Sequence, residues 1–201
     1  MTTKFGLLVG AALVLAGCSG NWATSYEAPV AAATSNAWSL RAVEVTVPET
    51  LSVSERNLFA PDADIVWHGD VPGDRRAQVG AILDAGITQG ASRMRGGQPV
   101  VLQATLQEFH AVTPRAVANA PGAVHNITYT LQVIDARSGT VLAGPDVVQA
   151  DLPAFVGESA QAAAARGQTQ KARITGHIAV VTRGWLGLGP DPRTTFSGPG
   201  R

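Results

Sequence analysis

The residues best placed to do chemistry together are Glu108, His110 and His125, which stand near the facing ends of two alternating segments, 100–112 and 124–135. If those segments pair as a hairpin, a one-residue slip would turn a whole face outward, so the apolar pattern admits a single parity. Leu102 then faces Val133, Ala104 faces Leu131 and Leu106 faces Tyr129; continuing the ladder brings Glu108 to Ile127 and His110 to His125. Two imidazoles and a carboxylate suit Zn²⁺, and the same trio could form the centre of a hydrolase. Strand ends fray, however, and polar side chains at a sheet rim are more often simply solvated, so no metal is expected. His68 and His177 read as surface or satisfied core residues, and Asp62, Asp64 and Asp70 as turn and capping residues. There is no Gly-x-Ser-x-Gly elbow, no His-Glu-x-x-His helix and no phosphate loop. The run Gly-Trp-Leu-Gly-Leu-Gly at 184–189 looks like a nucleotide loop but follows a helical pattern instead of a strand. The expectation is a chain with no catalytic residue and no cofactor, and not an enzyme.

Cys18, the one cysteine, has a different setting. It follows Leu15-Ala16-Gly17 and an apolar run that begins at Phe5, with Lys4 ahead of it as the positive start of an export signal. About a dozen apolar residues rising about 1.5 Å each cannot span about 30 Å of hydrocarbon, so the run is a signal and not a span. Leu-Ala-Gly-Cys resembles the lipobox of bacterial lipoproteins. That resemblance implies alkylation of the Cys18 thiol by a diacylglycerol and cleavage after Gly17. In most Gram-negative bacteria the new amino group is also acylated, with chains such as palmitate. Each buried CH₂ contributes about 0.8 kcal/mol and one chain holds only weakly, so two or three make the attachment lasting. Ser19 in place of Asp implies, by the enterobacterial sorting pattern, an outer-membrane address facing the periplasm. A lone thiol in an oxidising compartment has no disulfide partner, and lipidation consumes it.

Fifteen basic residues balance fifteen acidic ones, and losing Lys4 leaves the mature chain slightly acidic. No basic footprint for nucleic acid or polybasic patch for anionic lipid is present. The cell envelope, reached through the lipid anchor, is the expected location.

The elements that must position these residues follow from periodicity. Residues 1–17 are the signal peptide, 18–37 a flexible linker, 38–186 a single α/β domain and 187–201 a disordered tail. Trp22 and Tyr26 in the linker are candidates for the lipid headgroup region. Residues 40–47 read as a strand closed by Pro48, and 64–68 as a second, short one. Val79, Ile82, Leu83, Gly86, Ile87, Gly90 and Met94 lie on one helical stripe, with Asp70 or Asp74 as cap and Gly96-Gly97 as the stop. Gly86 and Gly90 provide a small-residue groove for close approach to a sheet. Segments 100–112, 124–135 and a strand from about Val141 to Leu152 form a meander, with a tight turn over 135–140. Residues 159–165 are helical or loose, and a helix over 168–185 presents Ile174, Ile178, Val181 and Trp185.

Together these give an α+β fold: a two-layer α/β sandwich with a mostly antiparallel sheet and two helices on one face. The stretches "VEVTVPETL" and "LQVIDARSGTVLAG", with the lipobox, resemble small periplasmic lipoproteins such as the auxiliary lipoprotein components of ABC-type lipid transporters. The resemblance implies a non-enzymatic binding or assembly module that docks onto an envelope protein partner, for example by adding a strand at a sheet edge. The alternative is a small-ligand or lipid carrier. A cavity beneath Ile82, Ile87, Ile178 and Val181 would favour the carrier, and a filled core with an exposed apolar patch would favour docking.

Overall fold

The computed structural model describes residues 19–199, so the signal peptide and Cys18 lie outside the described residues. The elements run β1 (Ser19–Ser25), α1 (Ala32–Ser35), β2 (Trp38–Thr46), β3 (Val53–Ser54), β4 (Ile65–Val66), α2 (Arg75–Gly90) and β5 (Gln98–His110). They continue with α3 (Pro114–Asn119), β6 (Ala123–Asp135), β7 (Val141–Ala150), β8 (Leu152–Ala154), α4 (Gly157–Ala165), α5 (Gln170–Trp185) and β9 (Thr194–Pro199).

β5, β6 and β7 form the antiparallel meander at the centre of one mixed sheet. Asp135 closes the β6–β7 turn by accepting the amides of Arg137 and Ser138, both at 2.9 Å, and Gly139 takes the left-handed conformation the turn requires (φ +73°). β2 runs parallel to β5 along its first part, with α2 as the crossover, and β4 runs parallel to its last pair. The architecture is the expected one: a mostly antiparallel open sheet with α2 and α5 on one face.

Asp74 caps α2 by accepting the Ala77 amide at 3.1 Å, and Thr169 caps α5 through Ala172 at 3.2 Å. The helical stripe is buried as its spacing predicts, with Val79, Ile82, Leu83, Ile87, Ile174, Ile178 and Val181 at 1% exposure or less. The glycine groove serves a different neighbour from the one expected. A Cβ on Gly86 would fall 2.7 Å from Ile178, and one on Gly90 2.6 Å from Thr182, so the two glycines let α2 close onto α5 instead of onto the sheet.

The two ends of the domain depart from expectation. Where composition reads as spacer, β1 pairs with β7 through Thr24 and Ser25 and with β9 along its length. Trp22 and Tyr26 are buried (6% and 5% exposed) instead of turned out toward headgroups. Where a disordered tail is expected, β9 completes the sheet, and Asp191 accepts the Tyr26 hydroxyl at 3.0 Å. The glycine run at 184–189 is packing and capping. Gly184 leaves room for Pro192 and the Tyr26 hydroxyl, and Gly187 (φ +66°) ends α5 against the Val30 carbonyl. Each end buries aromatic surface that neither could bury alone, which is why no periodicity within either segment announces it.

Candidate functional site

The central register is the one the apolar pattern requires: Leu102 pairs with Val133, Ala104 with Leu131 and Leu106 with Tyr129. Between Leu106 and Glu108 the ladder then shifts by one residue, a β-bulge. Beyond it Glu108 pairs with Thr128, Phe109 with Ile127 and His110 with Asn126, which corrects the expected pairing of His110 with His125. Phe109 turns into the core, edge-on to Trp67 with ring centroids 5.8 Å apart, while His110 goes to the opposite face. The bulge therefore separates the two imidazoles that an unbroken strand would have brought together. Among the described residues, no group of three or more His, Cys, Asp or Glu is placed to hold a metal ion.

Glu108 and His110 remain together, with Oε1 3.1 Å from Nδ1. His110 Nε2 lies 2.7 Å from the Ala63 carbonyl. A histidine–carboxylate pair acting as general base needs its second nitrogen aimed at a reacting group; here a main-chain carbonyl holds it.

At this end of the sheet, on the face away from α2 and α5, α3 and the loops 59–61 and 120–122 roof a cavity of about 540 Å³. That lies within the range of about 300–1,000 Å³ typical of small-molecule sites. Val66, Ala111, Val112, Ala116 and Val124 provide aliphatic wall, Trp22 and Phe59 provide rings, and no Asp, Glu, Lys or Arg lines it. Its polar residues are engaged with protein. Thr113 Oγ1 donates to the Leu58 carbonyl at 2.7 Å and accepts from Ala116 at 3.2 Å, and Asn126 Nδ2 donates to Asp151 at 2.7 Å. The sequence reading missed α3 and hence the cavity, although Thr113-Pro114 is an N-cap followed by proline at the first helical position.

The other singled-out residues are structural. Asp64 accepts the amide and hydroxyl of Ser52, Asp62 pairs with Arg56, and Asp70 takes Trp67 Nε1 and Lys171. Hydrogen bonds from Ser54, Ser52 and Lys171 are the largest influences holding Asp62, Asp64 and Asp70, respectively, below the usual carboxylate range. His125 faces α5, is fully buried, and neither ring nitrogen has a hydrogen-bond partner among the described residues. Burial, with Arg173 and His177 nearby, pushes its pKa down to about 3. His177 Nε2 lies 3.2 Å from the Thr24 hydroxyl, and burial lowers its pKa as well.

The sequence profile of DUF6778, a family of unknown function, matches residues 38–199. No curated protein matches the chain. Among solved structures, a protein from Caulobacter crescentus assigned as a lipoprotein is similar at 18% identity and TM-score 0.32, over 54% of this chain and 83% of its own. The PelC dodecamer from Paraburkholderia phytofirmans is similar at 12% identity and TM-score 0.32 in one crystal form, over 82% of this chain and 96% of its own. Likeness this loose carries no functional argument.

Proposed function

We propose that this chain, which belongs to the DUF6778 family of unknown function, is a lipid-anchored protein of the bacterial cell envelope whose domain binds a small apolar ligand and performs no catalysis. The setting is the periplasmic side of a membrane, the outer one by the Ser19 signal, within a transport or envelope-maintenance assembly. The observation that carries the binding reading is the largely apolar cavity beneath α3, walled by the sheet and lined by no Asp, Glu, Lys or Arg. The cavity beneath α3 is not lined by Ile82, Ile87, Ile178 or Val181, the stripe the sequence pointed to, and lies on the opposite face of the sheet. Supporting the absence of catalysis, the Glu108–His110 pair has its second nitrogen bound to Ala63. No described helix is long and apolar enough to cross a membrane, and the attachment proposed is the lipid on Cys18.

A second reading, docking onto an envelope protein, is favoured by β9, which ends the strand order and pairs with β1. Its outer edge can accept a strand from a partner.

Two measurements test the first reading. Cells fed labelled palmitate should incorporate it into the wild-type chain and not into Cys18→Ser; equal labelling would remove the tether. The neutral probe N-phenyl-1-naphthylamine should bind saturably, one per chain, and Ala116→Phe should displace it while the thermal midpoint stays within a few degrees. Absence of saturable binding would sink the cavity reading.

A further inference from the structure

The cavity mouth carries a feature that its interior lacks. Arg115, the second residue of α3, is exposed and lays its guanidinium over the Phe59 ring, 4.6 Å from the centroid. Phe59 lines the cavity and is 54% exposed, so this stacked pair sits at the rim. Cation–π stacking fixes the guanidinium in place without neutralising it. The Arg115 main chain is anchored separately, its amide donating to Asn57 Oδ1 at 2.8 Å. Among the described residues Arg115 forms no ion pair with a carboxylate, whereas Asp62 pairs with Arg56 at 2.7 Å and Glu108 with His110 at 3.1 Å.

A mostly apolar chamber lined by no Asp, Glu, Lys or Arg, beneath the Arg115 guanidinium held on Phe59, is complementary to a molecule with a hydrocarbon body and a single anionic end. The lining polar groups spend their hydrogen bonds on Leu58, Ala63, Ala116 and Asp151, so the interior selects for apolar surface and the rim for charge. A guanidinium offers a carboxylate two parallel hydrogen bonds, a geometry an ammonium does not reproduce.

We infer that the cavity is a site for a free fatty acid, its chain lying along Val66, Ala111, Ala116 and Val124 and its carboxylate meeting Arg115 at the mouth beside Phe59. This inference rests on the binding reading above and adds to it the charge and class of the ligand.

The test uses the chain from residue 18 onward with Cys18→Ser, so that no covalent acyl chain competes. It is titrated below micelle-forming concentrations with three probes of equal length: dodecanoate, dodecanol and dodecyltrimethylammonium. Trp22 lines the cavity, whereas Trp38, Trp67 and Trp185 are fully buried elsewhere, so indole fluorescence reports occupancy. Dodecanoate should bind one per chain and about tenfold more tightly than dodecanol, in keeping with a charge-assisted contact, and dodecyltrimethylammonium should bind most weakly. Arg115→Gln, a surface change, should bring dodecanoate to the level of dodecanol and leave dodecanol unmoved; Phe59→Ala should do the same in part. Equal binding of all three probes, or an Arg115→Gln chain that keeps the preference, would overturn the fatty-acid assignment and leave the apolar-ligand reading standing. No saturable binding of any probe would remove both. Dodecanoate binding to Cys18→Ser but not to the lipidated wild-type chain would overturn a free fatty acid in favour of the protein's own anchor as occupant.

Discussion

His110 stands across the ladder from Asn126, and the one-residue bulge that puts it there decides which face of the sheet it serves. Without the extra residue, His110 would lie opposite His125 on the core face and would no longer line the cavity. Asn126 in turn donates to Asp151 at 2.7 Å, and Asp151 accepts the Ala23 amide at 3.0 Å through its other oxygen. One buried carboxylate thus ties the floor of the cavity to β1, the first strand of the sheet in chain order.

Asp151→Ala should therefore destabilise the domain by about 2–4 kcal/mol, because it leaves the half-buried Ala23 amide and the buried Asn126 side chain without their carboxylate acceptor. β1 should loosen before the meander does. Urea denaturation gives the magnitude; limited proteolysis should show new cleavage between residues 19 and 26 under native conditions. A variant as stable as wild type and uncut there would mean that Asp151 does not hold β1.

Gly86→Ala and Gly90→Ala pit two known effects against each other. Alanine gains about 1 kcal/mol of helix propensity over glycine, but the new methyl meets Ile178 at 2.7 Å, or Thr182 at 2.6 Å and the Ala179 carbonyl at 2.7 Å. Overpacking costs about 1–3 kcal/mol, and backbone cannot rotate away. Both variants should be less stable, Gly90→Ala the more so because the Ala179 carbonyl stands 2.7 Å from its new methyl, whereas the Thr175 carbonyl stands 3.0 Å from that of Gly86→Ala. A rise in thermal midpoint for either would show that α2 and α5 can separate cheaply.

The legible parts of this fold were those with a period. The α2 stripe, the α5 stripe and the β5–β6 register repeat every three to four or every two residues, and burial enforces each repeat. The bulge after Leu106 interrupts a period without leaving a glycine or proline to mark it, so the pairing of His110 was unreadable. β1 and β9 were hidden for a related reason: β9 is a short edge strand, β1 the short strand between it and β7, and each is made stable by the other and by Tyr26, Asp191 and Pro192. The cavity depends on α3, six residues long, whose Thr-Pro start was visible but whose packing over Ala111 and Val124 was not.

Arg75 should matter more than its charged partner. Its guanidinium is buried (5% exposed) and forks onto Glu55 at 2.6 and 2.9 Å while also reaching the carbonyls of Asp70 and Val71, both at 3.2 Å. Glu55 is more than half exposed, so solvent screens much of the pair and the carbonyl contacts decide. Arg75→Ala should cost about 2–4 kcal/mol and Arg75→Lys nearly as much, since an ammonium cannot reach all these acceptors at once. Glu55→Gln should cost less than about 1 kcal/mol. Equal losses for Arg75→Ala and Glu55→Gln in denaturant titrations would show that the ion pair dominates after all.

Acid should weaken this domain before its carboxylates begin to protonate, and His125 is the main reason. In the unfolded chain its pKa lies near the ordinary value of about 6.5; in the fold, burial lowers it to about 3. Below pH 6.5 the unfolded state therefore takes up a proton that the folded state refuses, so stability is complete above that pH and falls as the pH drops, by up to about 1.4 kcal/mol per unit. His177, lowered by burial too, adds in the same direction. Glu55, Asp62, Asp64 and Asp70 are all lowered and lose their contributions only as the pH falls below about 4.5, which leaves the interval from 6.5 to 5 to the histidines. Over that interval wild type should lose about 2 kcal/mol to His125 alone, and His125→Leu should lose distinctly less. At pH 7 the leucine variant should be as stable as wild type or more so, because it replaces two unpartnered buried nitrogens with apolar surface. Urea titrations of both proteins at pH 7 and pH 5 measure the difference, and parallel losses would show that His125 is not the group refusing the proton.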